Sequence, residues 1–325
     1  MTFSPRLVSK MWGGRNLGSV LGKTPPDERP YGESWEIFDF PPGSVGADGM
    51  SPGDKPDDWI SAKVTHGPLA GNSLHQILQN FPQELLGSSK PAQTQHGIQF
   101  PLLVKFLDAR QDLSVQVHPD DAYAKAHPNA FVKNECWYVM ARDAGARLLI
   151  ATKPGVTKEA FARSLTDGTC ESMMNAIPVE VGQTYYLPSG TVHALGAGVL
   201  AAEVQTPSDT TYRVFDFDRV EPATGKKRSL HVEQAMACID FASQSPARPV
   251  DVVRAPQFTM HVVDNPAHID TQGKATVVVC ASGRLTLGGV ELSKGQSVLL
   301  PAVLGKVAVQ TDAHQSARLL VAHAM

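Results

Sequence analysis

The sequence predicts an all-β protein, a sandwich or barrel with short helices inserted between strands. Two observations carry this. Strand-length, β-branched runs recur throughout, among them "LSVQVHP", "CWYVMA", "TYYLPSG", "TYRVFDF", "TVVVCAS" and "SVLLPA", and turn-forming residues separate them, with 24 prolines and 27 glycines spread along the 325 residues. Helical periodicity is confined to a few short segments. A hydrophobic content of 42% supports a substantial core.

In chain order, the N-terminal "MTFSPRLVSKMWGG" lacks an apolar segment of signal-peptide length, and no run of 18 apolar residues occurs anywhere. A cytoplasmic protein is expected. Residues 72–87, "NSLHQILQNFPQELLG", place Leu74, Ile77 and Leu78 at helical spacing, with Pro82 breaking or restarting the helix. In "DLSVQVHPDD" a strand points Ser114, Gln116 and His118 to one face and Val115 and Val117 to the other. "KNECWYV" does the same with Lys133, Glu135 and Trp137 against Cys136 and Tyr138. Thr157 is placed to cap a second helix, "TKEAFARSLTDG", which Gly168 stops. Residues 182–193, "GQTYYLPSGTVH", form a G-x5-P-x-G-x2-H pattern in which Gly190 allows a tight turn toward His193. In "AAEVQTPSDTTYR", Glu203 shares a strand face with Ala201 and Gln205. A third helix is expected over residues 230–240. The polar, proline-containing stretch 242–250 marks a boundary, giving units of residues 1–242 and 243–325. Beyond it, residues 295–306, "GQSVLLPAVLGK", repeat the G-x5-P pattern, with Val303 replacing the second glycine and Lys306 the histidine. That echo predicts a second, similar unit without metal ligands, serving structure or interface.

A formal charge of −3 provides no basic field for nucleic acid or an anionic membrane. The four scattered cysteines argue against a disulfide framework and against a thiolate metal site. Alone, a Q-x-H pair reads as an exposed strand edge and a K-x-E pair as a surface ion pair. Two polar-faced strands that meet inside a barrel are different, because their buried groups need partners. A divalent metal is one such partner. Gln116, His118, Glu135 and His193 make a mixed N/O set suited to zinc or a similar ion, with room left for water or substrate.

The 182–193 segment resembles the second motif of the cupin superfamily, a double-sheet jelly roll. "LLVKFLDARQDLSVQVHPDD", "KNECWYV" and "LPSGTVHALGAGVLAAEVQTPSDTTYRVFDFDR", with "MWGGRNLG" and "GESWEI" upstream, resemble the type I mannose-6-phosphate isomerases in their short bacterial form. The match runs in order through most of residues 5–240. A general cupin pattern would have H-x-H where this chain has Gln116 and His118, which fits the isomerase branch. The resemblance implies a mainly β fold of two cupin-like jelly-roll units, with short helical insertions in the first. It implies one Zn2+ per chain on Gln116, His118, Glu135 and His193, and interconversion of mannose 6-phosphate and fructose 6-phosphate through an enediolate. It places Glu203 and Arg213 in the active site, Arg213 stabilising the enediolate, and Lys105, Ser114 and Arg219 on the substrate side.

Several points stay open at this level. Glu203, Asp209, Lys133 and a metal-bound water are all candidates for the proton carrier. Lys105 interrupts the apolar run "PLLVKFLDA" and by itself reads as an edge-strand residue more readily than as a buried charge awaiting an anion. Lys133 either lines the cavity or pairs with Glu135. Trp35 and Trp137 read as core aromatics. The competing functions are a cupin isomerase or epimerase on another sugar phosphate, and a non-catalytic sugar-binding paralogue. Retention of the whole ligand set with Lys133, Glu203 and Arg213 argues against the paralogue.

Overall fold

The computed structural model describes residues 1–43, 59–208, 210–221, 225–311 and 316–325. The first unit contains β1 (Arg6–Gly14), β2 (Tyr31–Ile37), β3 (Leu103–Ala109), β4 (Val115–Val117), β5 (Glu135–Arg142), β6 (Arg147–Thr152), β7 (Met174–Pro178), β8 (Thr184–Leu187), β9 (His193–Leu195), β10 (Val199–Gln205) and β11 (Tyr212–Phe215). They form a six-stranded sheet, β1-β2-β3-β10-β5-β8, facing a five-stranded sheet, β7-β6-β9-β4-β11. The second unit contains β12 (Val252–Arg254), β13 (Phe258–Asp264), β14 (His268–Asp270), β15 (Thr276–Ser282), β16 (Arg284–Leu287), β17 (Val290–Ser293), β18 (Ser297–Leu300), β19 (Lys306–Gln310) and β20 (Arg318–Ala324). Its sheets run β12-β13-β20-β15-β18 and β14-β19-β16-β17.

Long strands are apolar on both faces, and that decides how the layers stack. In β5, Trp137 and Val139 point into the first roll, while Cys136, Tyr138 and Met140 point out of it. In β15, Val278 and Cys280 point into the second roll, while Val277, Val279 and Ala281 point out. The two outward faces meet in one shared core, where Val104, Phe106 and Ala202 join Phe258, Met260, Leu320 and Ala322. Antiparallel sheets commonly leave one face to solvent. Here each roll instead seals one sheet of the other.

Short helices cover what remains. Ser73 caps α1 (Leu74–Asn80) in a reciprocal capping box with Gln76, and Pro82 starts α2 (Pro82–Leu86) at its first turn. The helix α3 (Asp121–Ala126) was not expected; Asp120 caps it by accepting from the Tyr123 amide. Thr157 caps α4 (Lys158–Thr166) as the sequence suggests, and α5 (Val232–Cys238) falls within residues 230–240. Phe161 of α4 and Ala235 of α5 pack on the outward face of the five-stranded sheet, against Val115, Val117 and Leu149.

The internal echo is structural. The Val139 amide donates to the Gln183 carbonyl and the Gly182 amide returns to Val139; the Cys280 amide donates to Gln296 and the Gly295 amide returns to Cys280. Gln183 Oε1 accepts from the Glu180 amide as Gln296 Oε1 accepts from Ser293. After the shared proline, His193 opens β9 opposite Gln116, whereas Lys306 opens β19 opposite Asp270. His193 is buried; Lys306 is exposed.

Candidate metal centre

Three strands place the polar groups on one wall. His193 in β9 and Arg213 in β11 are both directly opposite Gln116 in β4, so the three side chains leave the five-stranded sheet on the same side. Val115 and Val117 turn outward and are fully buried beneath α4 and α5. His118 follows at the end of β4. Glu135, the first residue of β5, comes from the opposite sheet.

His118, Glu135 and His193 bring their ligand atoms within 4.8 Å of one another. His193 Nε2 is 3.0 Å from Glu135 Oε1 and His118 Nε2 is 3.4 Å from Glu135 Oε2. Gln116 reaches to 3.4 Å from His193 Nε2. Among the described residues, neither Glu135 oxygen nor His118 Nε2 makes a hydrogen bond, though all are buried and Glu135 Oε2 has only the Lys133 ammonium, 2.9 Å away, as an ion-pair partner. These atoms converge on a common point rather than bonding to each other. Such orphans are costly in an apolar interior, and a cation at that point satisfies all of them.

The outer ring nitrogens are already engaged. His118 Nδ1 lies 3.1 Å from the Thr210 carbonyl and His193 Nδ1 2.8 Å from the Thr191 carbonyl. Donation to those carbonyls puts the proton on Nδ1 and leaves Nε2 as the metal-facing lone pair. Burial, reinforced by the nearby Lys133 charge, pushes the His118 pKa down to about 3, which keeps the imidazole neutral. Burial alone would raise the pKa of Glu135; the Lys133 ammonium, 2.9 Å away, holds it well below the ordinary carboxylate value. The set is a neutral–neutral–anionic ligand group with an amide oxygen in reach, and it can hold a divalent metal ion.

Beneath this layer lies a buried ionic one. Lys105 in β3 is directly opposite Glu203 in β10, and Glu203 is opposite Trp137 in β5. Lys105 Nζ stands 3.1 Å from Glu203 and 3.8 Å from Glu33, while Lys10 stands 3.5 Å from Glu33. The Trp137 and Trp35 indoles donate to Glu203 and Glu33 at 2.8 and 2.6 Å. The edge-strand reading of Lys105 is therefore corrected. The residue lies in a central strand, half-buried, where two carboxylates balance its charge. Trp137 and Trp35 are core aromatics, each with its N–H satisfied.

Lys133 is buried and pairs with Glu135. It precedes β5 rather than lying within it. Ser114 is buried just before β4. The Arg213 guanidinium donates to the Ser229 carbonyl at 2.9 Å. Arg219 sits after β11, tied to the Asp216 carboxylate and the Asp112 carbonyl, and none of those bonds reaches the cluster. Asp209 lies outside the described residues. Sequence reasoning assigned no role to Lys10, Glu33, Asn134 or Gln205. Only "GESWEI" carried a signal, for Glu33, and the polar residues in apolar strands are legible only once the facing strand is known.

A profile of the phosphomannose isomerase type I catalytic domain matches residues 53–146. A probable mannose-6-phosphate isomerase of Bacillus subtilis is 34% identical over 324 residues, covering 94% of both chains. The mannose-6-phosphate isomerase of Streptococcus mutans is 35% identical, covering 91% of this chain and 90% of its own. The chain belongs to the mannose-6-phosphate isomerase family. Among solved structures, the mannose 6-phosphate isomerase of Bacillus subtilis superposes with a TM-score of 0.81 at 27% identity, over 99% of this chain and 98% of that one. The isomerase relationship therefore spans both jelly rolls, while the catalytic-domain profile covers β3, β4, β5 and α3, the segment that supplies Gln116, His118 and Glu135.

Proposed function

We propose that the protein interconverts mannose 6-phosphate and fructose 6-phosphate with one zinc ion per chain held by Gln116, His118, Glu135 and His193. The observation that carries this is the convergence of those groups beside Lys133 and in register with Arg213. Bound there, the ion supplies Lewis acidity to the carbonyl and neighbouring hydroxyl oxygens of the open-chain sugar.

The reaction moves a proton between C1 and C2 and passes through an enediolate, whose negative charge needs fixed positive groups. The Arg213 guanidinium, held by its bond to the Ser229 carbonyl, fills that role. Lys133 adds a second positive charge on the same side. Glu203, whose pKa is raised by burial although Lys105 opposes it, is suited to take and return a proton; Asp209 is the other carboxylate proposed for this step. Lys105 and Ser114 face the substrate; Lys105 is charge-balanced by Glu203 and Glu33, so the layer binds polar oxygens without a net field. The decisive experiment is zinc-loaded protein with mannose 6-phosphate, following fructose 6-phosphate. Turnover that disappears on chelation and returns with zinc is expected; no turnover with the metal in place would overturn the proposal.

A further inference from the structure

Gln205 is the last residue of β10 and is fully buried. It is directly opposite Glu135 on one side and Leu103 on the other, so its side chain leaves the sheet with the metal-facing carboxylate. Glu203, two residues earlier, projects the same way. The amide group is already oriented. Nε2 lies 2.8 Å from the Thr206 carbonyl and 2.7 Å from the Ser208 carbonyl. Both partners are acceptors only, so the NH2 must face them, and both of its hydrogens are used.

Among the described residues, Oε1 is left buried without a hydrogen-bond partner. Asp39, His75 and Thr152 carry such atoms elsewhere; around the cluster Gln205 Oε1 shares the property with His118 Nε2, Glu135 and Glu203 Oε1. A lost partner for a buried acceptor costs about 1–3 kcal/mol, so a fixed orphan beside a ligand site points to a donor that arrives with the ligand. Phosphate and enediolate oxygens are acceptors and are repelled by an amide oxygen. Sugar hydroxyls are the donors available.

We infer that Gln205 Oε1 accepts a hydrogen bond from one of the unreacting hydroxyls, at C3, C4 or C5, of the open-chain sugar phosphate and reads its presence. This rests on the activity proposed above. Gln205 thus has two jobs: its NH2 ties down the 206–208 turn and its oxygen contacts substrate.

The test crosses substrate and protein changes. Wild type and Gln205→Met, both zinc-loaded and with zinc content measured, are assayed on mannose 6-phosphate and its 3-, 4- and 5-deoxy analogues. One analogue should lower wild-type kcat/KM by about 10–100-fold and lower that of Gln205→Met by no more than about threefold. Equal penalties in both proteins for every analogue would overturn the inference, and so would loss of zinc from Gln205→Met, which would make Gln205 a metal ligand. If Gln205→Met fails to fold, Gln205→Leu enters the same cycle. Failure of the activity proposal is read separately, as absence of wild-type turnover on mannose 6-phosphate.

Discussion

His193 works because both of its nitrogens are assigned: Nδ1 to the Thr191 carbonyl, Nε2 to the cluster. Replacing it with alanine should leave the protein folded but reduce zinc affinity by at least about a hundredfold, beyond what loss of a supporting partner causes; metal analysis after dialysis and circular dichroism check both halves. Arg213 is proposed to stabilise the enediolate rather than to ligate the ion, so Arg213→Ala should retain zinc and lose about 100–1,000-fold in kcat, as when a transition-state donor is removed. An effect on KM alone would make it a binding residue. At this scale the sequence was legible where polar residues repeat with period two, as in Gln116 and His118. It was not legible for Lys105, whose reading depends on Glu203 and Glu33, residues 98 positions later and 72 earlier that only strand pairing brings alongside.

The turn before β9 is the element on which the site depends most. Gly190 has φ of +86°, its amide donates to the His118 carbonyl at 2.9 Å, and its carbonyl accepts from Asp240. One residue therefore pins two ligand segments. Gly190→Ala would place a side chain in the left-handed region at about 1–2 kcal/mol, and it should lower the melting temperature and zinc affinity together. A fall in stability with unchanged zinc binding would show that the turn and the ligands are independent. The glycines of "MWGGRNLG" answer to close approach instead. A Cβ on Gly13 would fall 2.4 Å from the Gly32 amide nitrogen, and one on Gly14 would fall 2.6 Å from the Asp108 carboxylate that accepts from Asn16 and Leu17. The helix cap at Thr157 was readable because the signal lies within four residues. The cap at Asp120 was obscured because it follows His118 and Pro119 and opens a helix without a buried stripe.

Across the whole molecule, the second roll keeps the packing of the first while exposed Lys306 stands where the first has buried His193. Leu320 belongs to the shared core between the rolls, so Leu320→Ala should destabilise by about 2–5 kcal/mol in urea unfolding. Gln257 of the second roll also accepts from Asn134, the residue between Lys133 and Glu135, at 2.9 Å. The second roll carries a pH dependence too. Burial first, then the neighbouring His261 and Lys274, push the His323 pKa down to about 4, and its Nδ1 lies 2.8 Å from Thr276 Oγ1. The unfolded chain binds that proton near 6.5, so between those values the unfolded state holds more protons and stability falls as pH falls. The loss should be about 1–2 kcal/mol, allowing for partial solvent screening. Comparing wild type with His323→Gln at pH 7 and pH 4.5 isolates it; parallel pH profiles would show that His323 does not contribute.

Local pattern by itself determined a great deal: a β protein with few helices, the Thr157 cap, the G-x5-P repeat, and the two strands that present Gln116, His118 and Glu135. Each of these is a relation between residues close in sequence, carried by the periods of the backbone. Tertiary structure alone decided that His193 faces Glu135, that Lys105 is balanced between carboxylates, that Gln205 keeps an oxygen free, and that each roll seals the other's sheet. Those relations link residues tens to hundreds of positions apart, and the register of strand pairing and sheet packing, which no local period encodes, sets them.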